Sequence, residues 1–317
     1  MYKTKETAIR NIQAGKNFSR QEFDLFRNDR DVVLEALKFD KLAYRDASKD
    51  MMGVKEIVME MVKHNGEDLR YASYDMKNNR EIVLVAVEQG GYSFAFASDD
   101  LKRDMQITLK AVKKSSIALK YASDSMKSDK QVVLEAVKKK GDVLEYASDD
   151  LKHDKQVVLE AVKEDGDALE FASDELKGDK QVVLEAVKKY GTALKYASDD
   201  LKRDKQVVLE AVKKYGNALK YASDELKRDK QVVLEAVKKE NGMFEFASDE
   251  LKRDLSFVLD CVRIDKILLR YAYDVIRQEI GDEDPIKILE AMILRNKLRE
   301  GLKTEGKSMR RKGDIGI

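Results

Sequence analysis

The sequence predicts an all-α fold, a right- or left-handed α-solenoid of about eleven 25-residue two-helix repeats with capping ends. Three observations predict it. An aromatic-Ala-Ser phrase returns every 25 residues, with its ring at Tyr71, Phe96, Tyr121, Tyr146, Phe171, Tyr196, Tyr221 and Phe246, and at Tyr271 without the serine. An aspartate keeps the same period at Asp104, Asp129, Asp154, Asp179, Asp204, Asp229 and Asp254. Between these markers the apolar residues follow helical spacing. A fixed period of roughly 20–50 residues marks units that bury their apolar faces on one another.

The elements follow in chain order. Residues 1–20 read as an N-terminal capping helix and 21–302 as a single helical repeat domain. Within one repeat, Asp129 is the N-cap of a three-turn helix beginning at Lys130, because its carboxylate accepts the free first-turn amides. Lys138 and Lys139 suit the negative end of the helix dipole, and Gly141 reads as a left-handed stop. Val132, Val133, Leu134, Ala136 and Val137 spread over roughly 200° of the circumference, as expected of a helix touched on several sides. Ala136 recurs as Ala36, Ala86, Ala111, Ala161, Ala186, Ala211 and Ala236, a small residue where helices can approach closely, and Cys261 takes that slot in its own repeat, reading as a buried alanine substitute. Asp142 to Ser148 predicts a shorter second helix with Tyr146 inside, its ring exchangeable with Phe and therefore core. Ser148 then caps a connector whose Leu151 is a plug beneath the turn.

The register runs from Asp29 to Asp254, with degenerate copies at Val54–Val62 and Asn79–Val87. A last unit opens at Asp284-Pro285 after a five-residue slip, with proline in the first helical position where its missing N–H is harmless. Residues 303–317, with Arg310, Arg311 and Lys312, read as a flexible basic tail.

The phrase from Asp204 to Arg228 resembles the repeats of the domain of unknown function 4116 family, over roughly residues 21–276. The resemblance implies an all-helical tandem-repeat fold and carries over no catalytic residue.

Composition narrows the function classes. Lys+Arg 61 against Asp+Glu 60 leaves no global field directed at nucleic acid or a membrane. The lone Cys261 excludes an internal disulfide framework and fits a reducing, cytoplasmic setting. The N-terminus has no apolar core followed by a cleavage site, and no apolar run approaches the length of a membrane span. His64 and His153 have no partner at metal-ligand spacing, and the serine column lacks a paired base, so its members read as caps. No catalysis and no cofactor are expected.

Variation between repeats points elsewhere. Core slots hardly change, whereas the slot before the aromatic reads Lys120, Glu145, Glu170, Lys195, Lys220 and Glu245. The slot before the turn glycine includes Asp165, Tyr190 and Tyr215. These nine residues are the partner-binding candidates, with Arg310, Arg311 and Lys312 of the tail. The expected function is a non-catalytic scaffold that holds a protein partner, an effector or inhibitor among the variants. The alternative is a nucleic-acid-binding repeat using the lysines and tyrosines of residues 188–220.

Overall fold

The computed structural model describes residues 4–14, 23–281 and 283–313, with side chains described as far as residue 300. All regular structure among the described residues is helical, without a strand. The chain divides into two units, Met1–Ser173 and Asp174–Ile317, a division that the unbroken repeat register does not mark.

The first unit contains α1 (Lys5–Gln13), α2 (Arg30–Phe39), α3 (Lys55–His64), α4 (Arg80–Gln89), α5 (Met105–Lys114), α6 (Lys130–Val137) and α7 (Lys155–Glu164). Each packs against the next. The aspartate caps form as the sequence predicts: Asp129 Oδ1 accepts the amides of Gln131 at 2.9 Å and Val132 at 3.0 Å. Asn79 does the same ahead of α4, while Val54 leaves α3 without a side-chain cap. Within the stretch expected to cap the start lies α1, and it keeps the repeat register. Its cap Thr4 lies one period before Asp29, and Lys5 pairs with Asp29 at 3.0 Å as Lys130 pairs with Asp154 at 2.7 Å. Residues 15–20 of the expected cap lie outside the described residues.

The core comes from a fixed set of slots. Val132, Val133, Ala136 and Val137 are sealed from solvent, with Leu144 of the following segment. At these positions truncation of a leucine to alanine costs about 2–5 kcal/mol, because the cavity collapses only partly. Three expectations are corrected. The second helix of the repeat is a tight 3₁₀ segment, Gly141–Tyr146, closed by the Ala147 amide on the Leu144 carbonyl at 3.1 Å. Leu134 is half-exposed, so the buried arc is narrower than the apolar one. The ring of the phrase is a surface group: Tyr71 is 46% exposed and the others of this unit are half-buried, while the leucine, or Phe94, two residues earlier fills the core.

The turn glycines act differently from a left-handed stop, since no described glycine except Gly281 has positive φ. They admit the next helix. A Cβ on Gly91 would lie 2.8 Å from the Ala111 carbonyl oxygen and 2.7 Å from the Ser115 Cβ. This is the close approach expected from the alanine slot, with glycine on one side and alanine on the other. Repeats are also joined by one backbone bond each, such as the Ser148 amide to the Lys127 carbonyl at 3.0 Å, which satisfies an orphan at the connector's end.

The second unit contains α8 (Lys180–Lys189), α9 (Lys205–Lys214), α10 (Lys230–Lys239), α11 (Leu255–Ile264) and α12 (Pro285–Gly313). It repeats the same devices, with Asp204 and Asp229 as caps and Ser223 donating its amide to the Lys202 carbonyl at 3.0 Å. The connector plugs Leu201, Leu226 and Leu251 are buried, as read from the sequence. The slip before Asp284 is taken up by a lengthened connector helix, Asp274–Ile280, ended by Gly281 at φ 58. The expected flexible tail is corrected in part: α12 continues to Gly313, since Lys, Glu, Arg and Met of this stretch favour helix even without an apolar stripe. Residues 314–317 lie outside the described residues.

Candidate interaction surface

Each repeat presents three kinds of exposed position, built by its three segments. The helix contributes the half-exposed leucine and the charged residues beside it. The 3₁₀ segment contributes the residue before the ring, and the connector contributes a pair of acids.

The 3₁₀ edge holds most of the sequence-predicted candidates. In the first unit Lys120 is exposed, with its ammonium 6.0 Å from the Tyr121 ring centre and 5.8 Å from that of Tyr146. Arg70 bridges Tyr71 and Phe96 in the same way, at 5.6 and 5.2 Å. A base in this slot thus lies between its own ring and the next, a cation–π arrangement worth about 0.5–1 kcal/mol at exposed sites. Tyr92 closes on Tyr121 edge to face at 5.3 Å, and the Tyr92 hydroxyl, with burial, raises the Tyr121 hydroxyl above its ordinary range. Glu145 is exposed, and burial followed by the Glu145 carboxylate raises the Tyr146 hydroxyl. Glu170 is exposed in the matching place. Asp165 is a structural residue: half-buried, it accepts the Asp167 amide at 3.0 Å and so caps the 3₁₀ segment.

In the second unit Lys195 lies 4.3 Å from the Tyr196 ring centre and Lys220 5.1 Å from that of Phe246. Glu245 is exposed at the equivalent slot. Tyr190 and Tyr215 end α8 and α9, 38% and 41% exposed beside Lys189 and Lys214. Arg310, Arg311 and Lys312 fall on the last turns of α12, beyond the described side chains.

Two columns were not singled out from the sequence. The first is a half-exposed leucine or methionine at one register of α2 to α10, represented by Leu34, Met59, Leu84, Leu109, Leu134 and Leu159 in the first unit. Leu184, Leu209 and Leu234 represent it in the second. A glutamate follows it in most repeats and pairs with a lysine three positions on, as Glu60 with Lys63 at 2.7 Å and Glu235 with Lys238 at 2.8 Å. Leu34 and Met59 line an open groove of about 770 Å³ between α2 and α3. The sequence signal was present in the over-wide apolar arc, which exceeds what a helix in this stack buries. The second column is the acid pair of the connectors: the Asp149 side chain is 93% exposed and that of Asp199 82%. These acids start a helical turn, which accounts for their sign through the dipole.

Electrostatics elsewhere serve the stack. Burial alone would raise the Asp254 carboxyl, but the Lys230 ammonium at 2.5 Å, the Ser256 hydroxyl and the Phe257 amide hold it down at about 2. Asp154, Asp204 and Asp229 are lowered by the same balance, burial opposed by Lys130, Lys180 and Lys205 respectively. Burial pushes the Cys261 thiol up to about 12, with Asp260 adding to it, consistent with an alanine-slot substitute. Part of the serine column caps connectors, as Ser198 does by accepting the Leu201 amide at 3.4 Å, but the expected cap at Ser148 is corrected, since its hydroxyl, like those of Ser48 and Ser123, makes no cap bond. His153 Nδ1 lies 2.8 Å from the Asp149 carbonyl. Among the described residues no cluster of acids, histidine or cysteine has the geometry to hold a metal ion, and no helix is long and apolar enough to cross a membrane.

Comparison with curated proteins and with solved structures gives no match to this chain. A family model, the domain of unknown function 4116, matches at residues 55–102, 104–152, 154–202, 204–243 and 229–277. Each match of about 50 residues takes in two of the 25-residue periods, or nearly so. With five matches in tandem over most of its length, the chain belongs to the domain of unknown function 4116 family.

Proposed function

We propose that the repeats form one α-solenoid of about eleven 25-residue units, and that it is a non-catalytic scaffold holding a protein partner. The observation that carries this reading is the leucine column. From α2 to α10 each helix leaves a large apolar side chain half in water at the same register, and charged residues rim it, whereas Leu259 of α11 is buried. Apolar stripes rimmed by polar groups are the composition of interface cores, because burying them on a partner removes apolar surface from water while the rim stays solvated. Ser198 caps a connector, His153 lies on a backbone carbonyl and Cys261 is buried, structural roles that support a binding rather than a chemical reading. The cytoplasm is the proposed location, on the strength of the single buried thiol.

Chemical crosslinking and affinity capture of the full chain test the reading, beside a variant carrying Leu184→Asp, Leu209→Asp and Leu234→Asp. Captured protein that disappears in this variant, at unchanged helicity, is the expected result. Capture unaffected by all three substitutions contradicts it.

A second reading, nucleic-acid binding, draws on Tyr190 and Tyr215, exposed at helix ends beside lysine pairs. Stacking of unpaired bases on such rings is its physical basis. A labelled single strand whose binding falls steeply with salt is what it requires.

A further inference from the structure

Successive repeats leave a shallow groove between one connector and the next ring, and its lining differs between the two units. In the second unit it measures about 380 Å³ and is occupied by the chain's own charges. Arg228 pairs with Glu250 at 3.0 Å and Lys227 with Asp224 at 3.7 Å. In the first unit the groove at the same register measures about 630 Å³. There Lys49 replaces Asp224, Met52 replaces Lys227, Gly53 replaces Arg228 and Tyr74 replaces Asp249.

The exchanges alter both shape and sign. Asp46 stands where later repeats carry the ring, so the floor is left to Tyr44 and Tyr71, with ring centres 5.7 Å apart. Tyr44 is 2% exposed, and Tyr71 and Tyr74 are 46% and 67% exposed. The only charged side chains lining the groove are Arg45 and Lys49. Arg45 is held in place by its Nε bond to the Tyr44 hydroxyl at 3.4 Å, with buried Asp68 close enough to both to influence their ionisation. Lys49 has no ion pair among the described residues. Ser73 accepts the Met76 amide at 3.4 Å, which leaves its proton free to donate.

We infer that this groove takes an acidic peptide segment carrying one large apolar side chain. The apolar group lies on Tyr44, Met52 and Tyr71, where it removes exposed ring surface from water. Its flanking carboxylates meet Lys49 and Arg45, a charge complementarity that the second unit's groove lacks because its own acids already neutralise its bases. The inference rests on the protein-binding reading above and specifies one site and one partner chemistry for it.

Fluorescence anisotropy with the full chain tests it. The probe is a labelled peptide with one phenylalanine flanked by glutamates, compared with peptides flanked by lysines or carrying alanine for phenylalanine. Binding of the first alone is expected, weakened about tenfold by Lys49→Glu or Met52→Glu and retained in Lys49→Arg. Equal binding of the lysine-flanked peptide, indifference to both substitutions, or no binding up to about 1 mM would overturn the assignment. Both changed positions, Lys49 and Met52, lie in a connector, and circular dichroism verifies the fold of each variant. If the peptide fails while the leucine-column variant still loses captured protein, the groove assignment falls and the scaffold reading stands. If the peptide binds while that variant loses nothing, the leucine column is the part that fails.

Discussion

Replacing Gly216 with alanine separates two explanations of the repeated glycine. A methyl there would sit 2.6 Å from the Ala236 carbonyl oxygen, 3.0 Å from the Glu240 Cβ and 3.2 Å from the Lys239 Cβ. Ordinary contact begins near 3.4 Å, so α10 must retreat by roughly 0.8 Å. The oxygen cannot yield freely, since it accepts the Glu240 amide at 2.9 Å and closes the end of that helix. Overpacking of this kind costs about 1–3 kcal/mol. Against it stands a gain of about 0.4–1 kcal/mol from the lower entropy of the unfolded chain, because φ is already negative and alanine fits the backbone. The expected net loss is about 1–2 kcal/mol. The control is Gly242→Ala, where nothing lies within 4 Å and the sign reverses to neutral or slightly stabilising. Urea denaturation followed by circular dichroism reads both. A Gly216→Ala protein as stable as the parent would refute the close-approach account.

Further outcomes follow from the same geometry. Gly281→Ala, with open space but φ 58, loses roughly 1–2 kcal/mol through backbone conformation alone. The carboxyls of Asp154, Asp204, Asp229 and Asp254 sit below their unfolded values, so the stability they contribute is present above the ordinary carboxyl range and is lost as pH falls through their folded values, about 2 for Asp254. Asp254→Asn flattens part of that acid limb in a pH titration of stability; an unchanged limb contradicts the assignment. Cys261 resists a thiol reagent such as dithionitrobenzoate in the folded protein and reacts at the rate of unfolding, whereas rapid native labelling would show it reachable. Leu219→Ala, at a sealed core slot, costs about 2–5 kcal/mol, while Leu209→Ala, half-exposed, costs about 1 kcal/mol or less. Equal losses in urea would remove the case for a free leucine column.

Much of the architecture was legible because it depends on local chemistry. An aspartate followed by a first-turn amide, a valine pair at helical spacing and a serine before a connector act within one repeat, and 25-residue repetition reinforced each reading. The register extends back to Thr4 and Lys5, one period before Asp29 and Arg30. The surface was less legible. Of the nine candidates on the 3₁₀ edge and helix ends, Asp165 turned out to be a cap, and the rings thought to be core stand half in water. Periodicity alone cannot tell a residue that touches the neighbouring repeat from one that overhangs it.

Period, helix starts, core slots and the fate of Cys261 were therefore determined by the sequence alone, since hydrogen-bond caps and apolar spacing are local properties. The tertiary structure decided the rest. The second element of each repeat is a 3₁₀ segment, also where its first residue is Ser116, Asn241 or Lys266 and not glycine. Stacking left Leu134 outside the buried arc and gave the groove beside Lys49 its positive lining, which depend on distances between residues a full period apart.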